Sequence, residues 1–309
     1  MIFEPNNPTY NKRVTVFGEI LADVYPEYSL LGGAPFNVAR HLHAFGLNPF
    51  LISRIGTDSL ANDVLSEMEI RGLETSGIQR DLRSPTGQVK VTLNNGIPEY
   101  EILAHQAYDF IDYVPEEGTS KKSEIIYFGS LAQRCPQSST ALDDLLARNE
   151  SAKKFLDLNL RQPWYNEHTI NQSLQQANIV KLNEEELEEV CQMFGLQSAD
   201  LHLMGKNLVS HFKVEHLLIT SGENGSWSIL NHELQLTPPY KTLLSARDTV
   251  GAGDAFSAVI ILGYMNHWDM QLTQARANQF ASAICEIQGA VPESLDFYKP
   301  YLFAWHLYS

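Results

Sequence analysis

Apolar positions along this chain change period repeatedly, from short continuous or alternating runs to the three-to-four spacing of a helix face. Arg13-Val14-Thr15-Val16-Phe17-Gly18 reads as a buried strand closed by glycine. Over residues 34–46, Phe36, Val38, Leu42 and Phe45 fall near one face of a helix, with Gly46 as its stop. Residues 49–55 predict a second strand, and 58–71 a helix with Asp58 as N-cap. The alternation resumes with a strand over 124–128, a helix over 138–148 and strands over 154–158 and 179–182. A helix from Glu184, a strand over 216–220 and two C-terminal helices complete it. Such alternation requires right-handed crossovers, hence an α/β fold with a mostly parallel sheet covered on both faces.

Two segments break the pattern. Residues 19–31 are short and turn-rich, whereas 86–107 contain the period-2 run Gln88-Val89-Lys90-Val91-Thr92-Leu93, an Asn94-Asn95-Gly96 turn and a second apolar stretch over 99–103. Alternation followed by Asn-Gly is a hairpin signal. Together the two segments predict a small β-sheet set apart from the main one, either a lid over a site or a plain edge hairpin. No internal repeat or long linker divides the chain, so 1–309 reads as one domain carrying that accessory sheet.

Charge narrows the partners. With 22 Lys+Arg against 37 Asp+Glu the formal charge is −15, which repels phosphate backbones and argues against nucleic acid, while leaving room for a small anion held by local amides and cations. Cys135, Cys191 and Cys285 are an odd number with no CxxC spacing, as expected of free thiols in a reducing compartment. The first residues carry neither the basic flank nor the apolar core of a signal peptide, and the apolar stretch over 255–265 falls short of the roughly 20 residues a bilayer needs. The expectation is a cytoplasmic protein without a membrane partner.

Five segments carry candidate chemistry. In Asp248-Thr249-Val250-Gly251-Ala252-Gly253-Asp254 small residues crowd backbone N–H groups together where a helix begins, a place that attracts developing negative charge. Asp254 in that first turn is placed to take a proton from an attacking hydroxyl. Gly32-Gly33-Ala34-Pro35-Phe36-Asn37 lets backbone approach a polyol and offers the Asn37 amide, and Asp23 follows the first strand. Asn183 with Glu186 reads as a capping box, or as a pair organising magnesium through water. Asp157, Asn159 and Arg161 leave a strand end, with Arg161 a permanent cation. Thr220-Ser221-Gly222-Glu223-Asn224-Gly225 suits either close passage along a nucleotide or a simple hairpin turn. Taken singly, each has a structural explanation. P-loop, GxSxG and HExxH patterns are absent, and His41 and His43 sit on different helix faces in structural roles.

Taken jointly, these segments resemble the PfkB (ribokinase-like) family of carbohydrate kinases. Gly32-Gly33-Ala34-Pro35-Phe36-Asn37-Val38-Ala39, then Gly46 and Gly56, match its first signature, and 248–258 its second, with Val259 where the family has Ala or Gly. The resemblance implies a three-layer ribokinase-like sandwich with a β lid that also mediates homodimers, and ATP-dependent phosphorylation of a sugar hydroxyl. It implies Asp254 as base and Gly251, Ala252 and Gly253 as the anion hole. Asp23, Gly32, Gly33, Asn37 and Arg161 would hold the sugar, and Asn183 and Glu186 magnesium. Thr220, Gly222 and Gly225 would line the nucleotide, with Asn278 at its adenine end, and Asp248 would help hold a monovalent cation such as potassium. The Gly-Gly-Ala-Pro-x-Asn form and Asp157-x-Asn159-x-Arg161 look most like fructokinases. The lid stretch 100–105 lacks the arginine usual there, which keeps another sugar, a sugar acid, a nucleoside, or a non-catalytic sensing protein on the same fold as alternatives.

Overall fold

A computed structural model describes residues 13–94, 97–113, 122–240 and 249–307. The Asn95-Gly96 turn, Asp248 and the first twelve residues lie outside them. The chain begins with β1 (Arg13–Phe17), β2 (Leu21–Val24), β3 (Ser29–Gly32), α1 (Ala34–Ala44), β4 (Asn48–Ile55) and α2 (Ser59–Arg71). Then come β5 (Ile78–Arg80), β6 (Gly87–Asn94), β7 (Ile97–Ile102), β8 (Ser123–Gly129), α3 (Pro136–Arg148) and β9 (Lys153–Asp157). They are followed by α4 (Glu167–Gln176), β10 (Ile179–Asn183), α5 (Glu184–Met193), α6 (Leu201–Phe212) and β11 (His216–Thr220). The chain closes with β12 (Ser226–Leu230), β13 (Glu233–Thr237), α7 (Ala252–Met265), α8 (Met270–Ile284) and α9 (Lys299–Ala304).

Local chemistry explains the boundaries. The Asp58 carboxylate accepts from the Ala61 amide at 2.9 Å and starts α2, while Gly72 ends it in the left-handed region. Pro35 stands in the first turn of α1, where a missing N–H costs nothing. The main sheet runs β13-β12-β11-β10-β9-β8-β1-β4-β5 and is parallel except where β12 and β13 pair antiparallel at one edge. The turn leaving β11 at Gly222–Asn224 is therefore a hairpin connection.

Period 2 sorts the strand side chains onto two faces. Val14, Val16, Ile125, Tyr127 and Phe155 pack in one core with residues of α1, α2, α7, α8 and α9. Phe17, Ile126, Phe128, Leu156 and Val180 pack in the other with residues of α3, α4, α5 and α6. These are the three layers expected from the alternation.

The second sheet has the order β3-β2-β6-β7. Only three residues, Gly18 to Ile20, join β1 to β2, and β3 ends at Gly32, next to the Gly33 N-cap of α1. The small sheet is thus spliced between the first strand and first helix of the main body. Among the described residues no helix is long and apolar enough to cross a membrane.

Candidate active site

The C-terminal ends of β10 and β11 and the N-termini of α1 and α7 open onto one cavity of about 940 Å³. Leu21, Asp23, Tyr25, Val89, Tyr100 and Ile102 of the small sheet form part of its wall. Gly32 at the end of β3 also lines it, and from the main body so do Gly33, Asn37, Arg161, Asn183, Glu186, Thr220, Gly251, Gly253 and Asp254. Most of the candidate site residues therefore meet, although they come from positions more than 200 apart in sequence.

Ala252, Gly222, Gly225 and Asn278 are not part of that wall. The Ala252 amide turns back to the Thr249 carbonyl at 3.3 Å. Gly225 packs against the backbone of 237–239, and Asn278 donates to the carbonyls of Pro238 at 3.1 Å and Thr237 at 3.4 Å. Gly225 and Asn278 thus converge on one segment, residues 237–239.

Gly251 caps α7 with φ of 80°, and a Cβ there would lie 2.5 Å from the Ala290 Cα. His41 ties down that neighbouring segment: its Nε2 lies 3.2 Å from the Ala290 carbonyl and its Nδ1 2.8 Å from the Tyr298 hydroxyl. Burial lowers its pKa to about 3, so this histidine is neutral and structural. The N-terminus of α7 lines the cavity through Gly251, Gly253 and Asp254, and the first turn of a helix leaves amides without intrahelical partners.

Asp254 is buried, and its Oδ2 accepts from Asn37 Nδ2 at 2.7 Å. Asn37 is itself oriented by Arg40, whose Nη2 donates to Asn37 Oδ1 at 2.5 Å and to the Leu31 carbonyl at 3.0 Å. Burial, reinforced by the Asp157 charge, lifts the Asp254 carboxyl above its ordinary range, against the pull of Asn37, Lys181 and Arg161. A carboxylate raised in this way is a better proton acceptor near neutral pH.

Asp157 does not pair with Arg161. Its Oδ2 accepts from Ser257 Oγ at 2.7 Å and Tyr127 OH at 3.1 Å, and its Oδ1 lies 3.0 Å from Lys181 Nζ. Burial alone would lower the Lys181 pKa, but the Asp157 and Glu186 carboxylates outweigh it and raise it, so the ammonium stays protonated. Both Glu186 oxygens accept backbone amides, from Leu160 at 2.8 Å and Asn183 at 2.9 Å, and Asn183 Oδ1 accepts from the Glu186 amide at 2.7 Å. The capping box is real, and it engages both side chains with backbone. Among the described residues no group of three or more His, Cys, Asp or Glu side chains is placed to hold a metal.

Lys181, Glu19 and Arg40 escaped the sequence reading. The signal for Lys181 was present: a lysine between Val180 and Leu182 in a buried strand demands a partner. Glu19 is 4% exposed, and burial lifts its carboxyl to about 7, with the Asp254 charge adding to the rise. Below about pH 4.5 it is protonated folded or unfolded; as pH rises towards 7 the unfolded chain ionises first and stability falls. The size of that loss is about 3 kcal/mol. Urea unfolding at pH 4.5 and pH 8 should therefore show Glu19→Gln gaining on the wild type at the higher pH. An equal decline in both proteins would exclude this origin.

The family model described as pfkB family carbohydrate kinase matches residues 14–296. A fructokinase of Vibrio alginolyticus is 26% identical over 270 residues, spanning 83% of this chain and 85% of that protein. The fructokinase of Escherichia coli is 26% identical over 264 residues, spanning 81% and 84%. In structure, the Xylella fastidiosa fructokinase with bound ATP superposes with a TM-score of 0.81 over 96% of this chain and 99% of that one, at 20% identity. The Vibrio cholerae fructokinase bound to fructose, ADP and calcium gives 0.76 over 93% and 96%, also at 20% identity. With a matching model that runs from the first strand to beyond the last long helix, this chain belongs to the pfkB family of carbohydrate kinases.

Proposed function

We propose that the chain is a fructokinase-like enzyme that moves the γ-phosphoryl group of ATP to a sugar hydroxyl. The observation that carries this reading is the convergence of the Asp254 carboxylate, the Asn37 amide and the α7 N-terminus on one cavity. The naming of the two bacterial relatives as fructokinases supports the sugar. Asp23, Gly32, Gly33, Asn37 and Arg161 hold the sugar in this reading, with Arg161 the exposed cation at the mouth. Thr220, Gly222, Gly225 and Asn278 line the nucleotide path.

Asp254 takes the hydroxyl proton as the sugar oxygen attacks phosphorus, and the amides of Gly251 and Gly253 face the transferring group. Magnesium, when bound with ATP, neutralises phosphate charge, and Asn183 and Glu186 would organise its water shell. Asp248 is assigned to a potassium-type cation. The small sheet closes over the sugar and keeps water from the γ-phosphate, since solvent would otherwise compete as acceptor. Pairing of two copies through that sheet and a cytoplasmic setting belong to the same reading.

A coupled ADP-release assay over fructose, other hexoses, pentoses, nucleosides and ketodeoxy sugar acids tests it. Fructose should give the highest kcat/KM. Greater stimulation by a nucleoside or sugar acid would move the substrate, and no stimulation by any compound would favour a non-catalytic sensor.

A further inference from the structure

We propose that Arg40 is a positioning residue for the base, locking the Asn37 amide in the one orientation that keeps Asp254 able to take up and release a proton; this rests on the kinase reading above. Asn37 and Arg40 are three residues apart on α1, hence neighbours on one helix face. The amide bridges two groups of opposite need. Its Nδ2 donates to Asp254 Oδ2 at 2.7 Å, and its Oδ1 accepts from Arg40 Nη2 at 2.5 Å. A guanidinium has no acceptor, so a turned amide would set N–H against N–H at Arg40.

The base alone could not impose this orientation throughout the reaction. An ionised carboxylate only accepts, and so selects the amide N–H. Once it has taken the hydroxyl proton it can also donate, and a turned amide carbonyl would then suit it equally well. Such a turn would stabilise the protonated acid and hinder its release of the proton. Arg40 is charged before and after the transfer, so it holds the amide carbonyl in place through both states.

The arginine is itself built into position. It is 6% exposed, its Cζ lies 4.4 Å from the Phe36 ring centroid, and Nη2 also donates to the Leu31 carbonyl at 3.0 Å. Burial lowers its pKa to about 10 against the pull of Glu67, which leaves it charged at neutral pH. A purely structural role, tying α1 to α2 through Glu67, explains less. Nη1 reaches Glu67 Oε1 at 3.4 Å, and Arg71 already pairs with that same oxygen. The shortest of these contacts is the one to Asn37.

The test is a cycle in the full chain: Arg40→Met, Asn37→Ala and both together, with Arg40→Lys beside them. At neutral pH kcat should fall about 10–10²-fold in Arg40→Met, the scale of a misplaced catalytic group, while the KM for ATP stays within about threefold. Arg40→Lys should recover part of the loss, because a point charge replaces the fork. In the Asn37→Ala background the methionine change should cost no more than about twofold, since residues acting through one another are not additive. Carbon NMR of aspartate-labelled protein, with Asp254→Asn for assignment, should show the Asp254 carboxyl titrating about one pH unit higher in Arg40→Met. Asp157, Lys181, Arg161 and Glu19 also act on Asp254 and are present in every variant. Loss of the Arg40 charge alone is read in the Asn37→Ala background, where the rise should be smaller. An equal fold loss in the two backgrounds, or an Asp254 titration that moves equally in both, overturns the assignment. If Arg40→Met does not fold, Arg40→Lys carries both measurements. A wild type that phosphorylates no sugar fails the kinase reading instead, and the titration still judges the arginine.

Discussion

Asp254→Asn should all but stop turnover while leaving the sugar bound. The amide keeps the shape and packing of the carboxylate but cannot accept the proton released as the hydroxyl attacks. General-base loss costs about 10²–10⁴-fold. Sugar affinity depends on groups that bind the ground state, so calorimetric Kd should change little. The raised carboxyl of Asp254 adds a second expectation. In the wild type, the acid limb of kcat/KM should lie above the ordinary carboxylate range, and the residual activity of Asp254→Asn should lack that limb. Turnover within a few-fold of the wild type would remove Asp254 from the base role.

The second large effect is expected at Gly251→Ala, and it should strike stability as well as rate. The backbone there is left-handed at φ of 80°, and an added Cβ would meet the Ala290 backbone at 2.5 Å. Left-handed conformation costs an L-residue roughly 1–2 kcal/mol. Forcing a methyl into closed packing adds about 1–3 kcal/mol. Gly289 provides the control, because its φ of 79° is nearly the same but nothing lies within 4 Å of its Cβ position. Gly289→Ala should show the conformational cost alone. Urea midpoints for the two variants should separate by the packing contribution, and only Gly251→Ala should also lose turnover through displacement of the α7 N-terminus. Equal destabilisation would mean that the Ala290 contact relaxes freely.

What could be read from the chain follows from how local each signal is. The Asp58 cap, the Asn183–Glu186 box and the proline in the first turn of α1 are short-range hydrogen-bonding rules, and each stands where the spacing placed it. The buried parallel strands were equally legible because continuous apolar runs have few other homes. Helices α4 and α6 were not anticipated; α4 carries a polar sequence with Ile170 and Leu174 as its buried apolar residues. The edge pair β12–β13 was not anticipated: β13 alternates Leu234 and Leu236 with polar residues, but both leucines stay exposed at the sheet edge. Within the cavity, glycine and carboxylate positions came from motif spacing, whereas Arg40 and Lys181 did not. Their significance lies in what they touch across the fold: Asn37 in one case, Asp157 and Gly253 in the other.

The splice of the four-stranded sheet into the chain between β1 and α1 has one more result. Gly32 ends a strand of that sheet and Gly33 starts the helix that carries Asn37, so no slack separates the two bodies. Tilting the sheet must drag this junction. By thermodynamic reciprocity, whatever clamps the sheet in the pose a sugar prefers must tighten the grip on that sugar by the same factor. An antibody fragment bound to the outer face could thus tune affinity without touching a single wall residue.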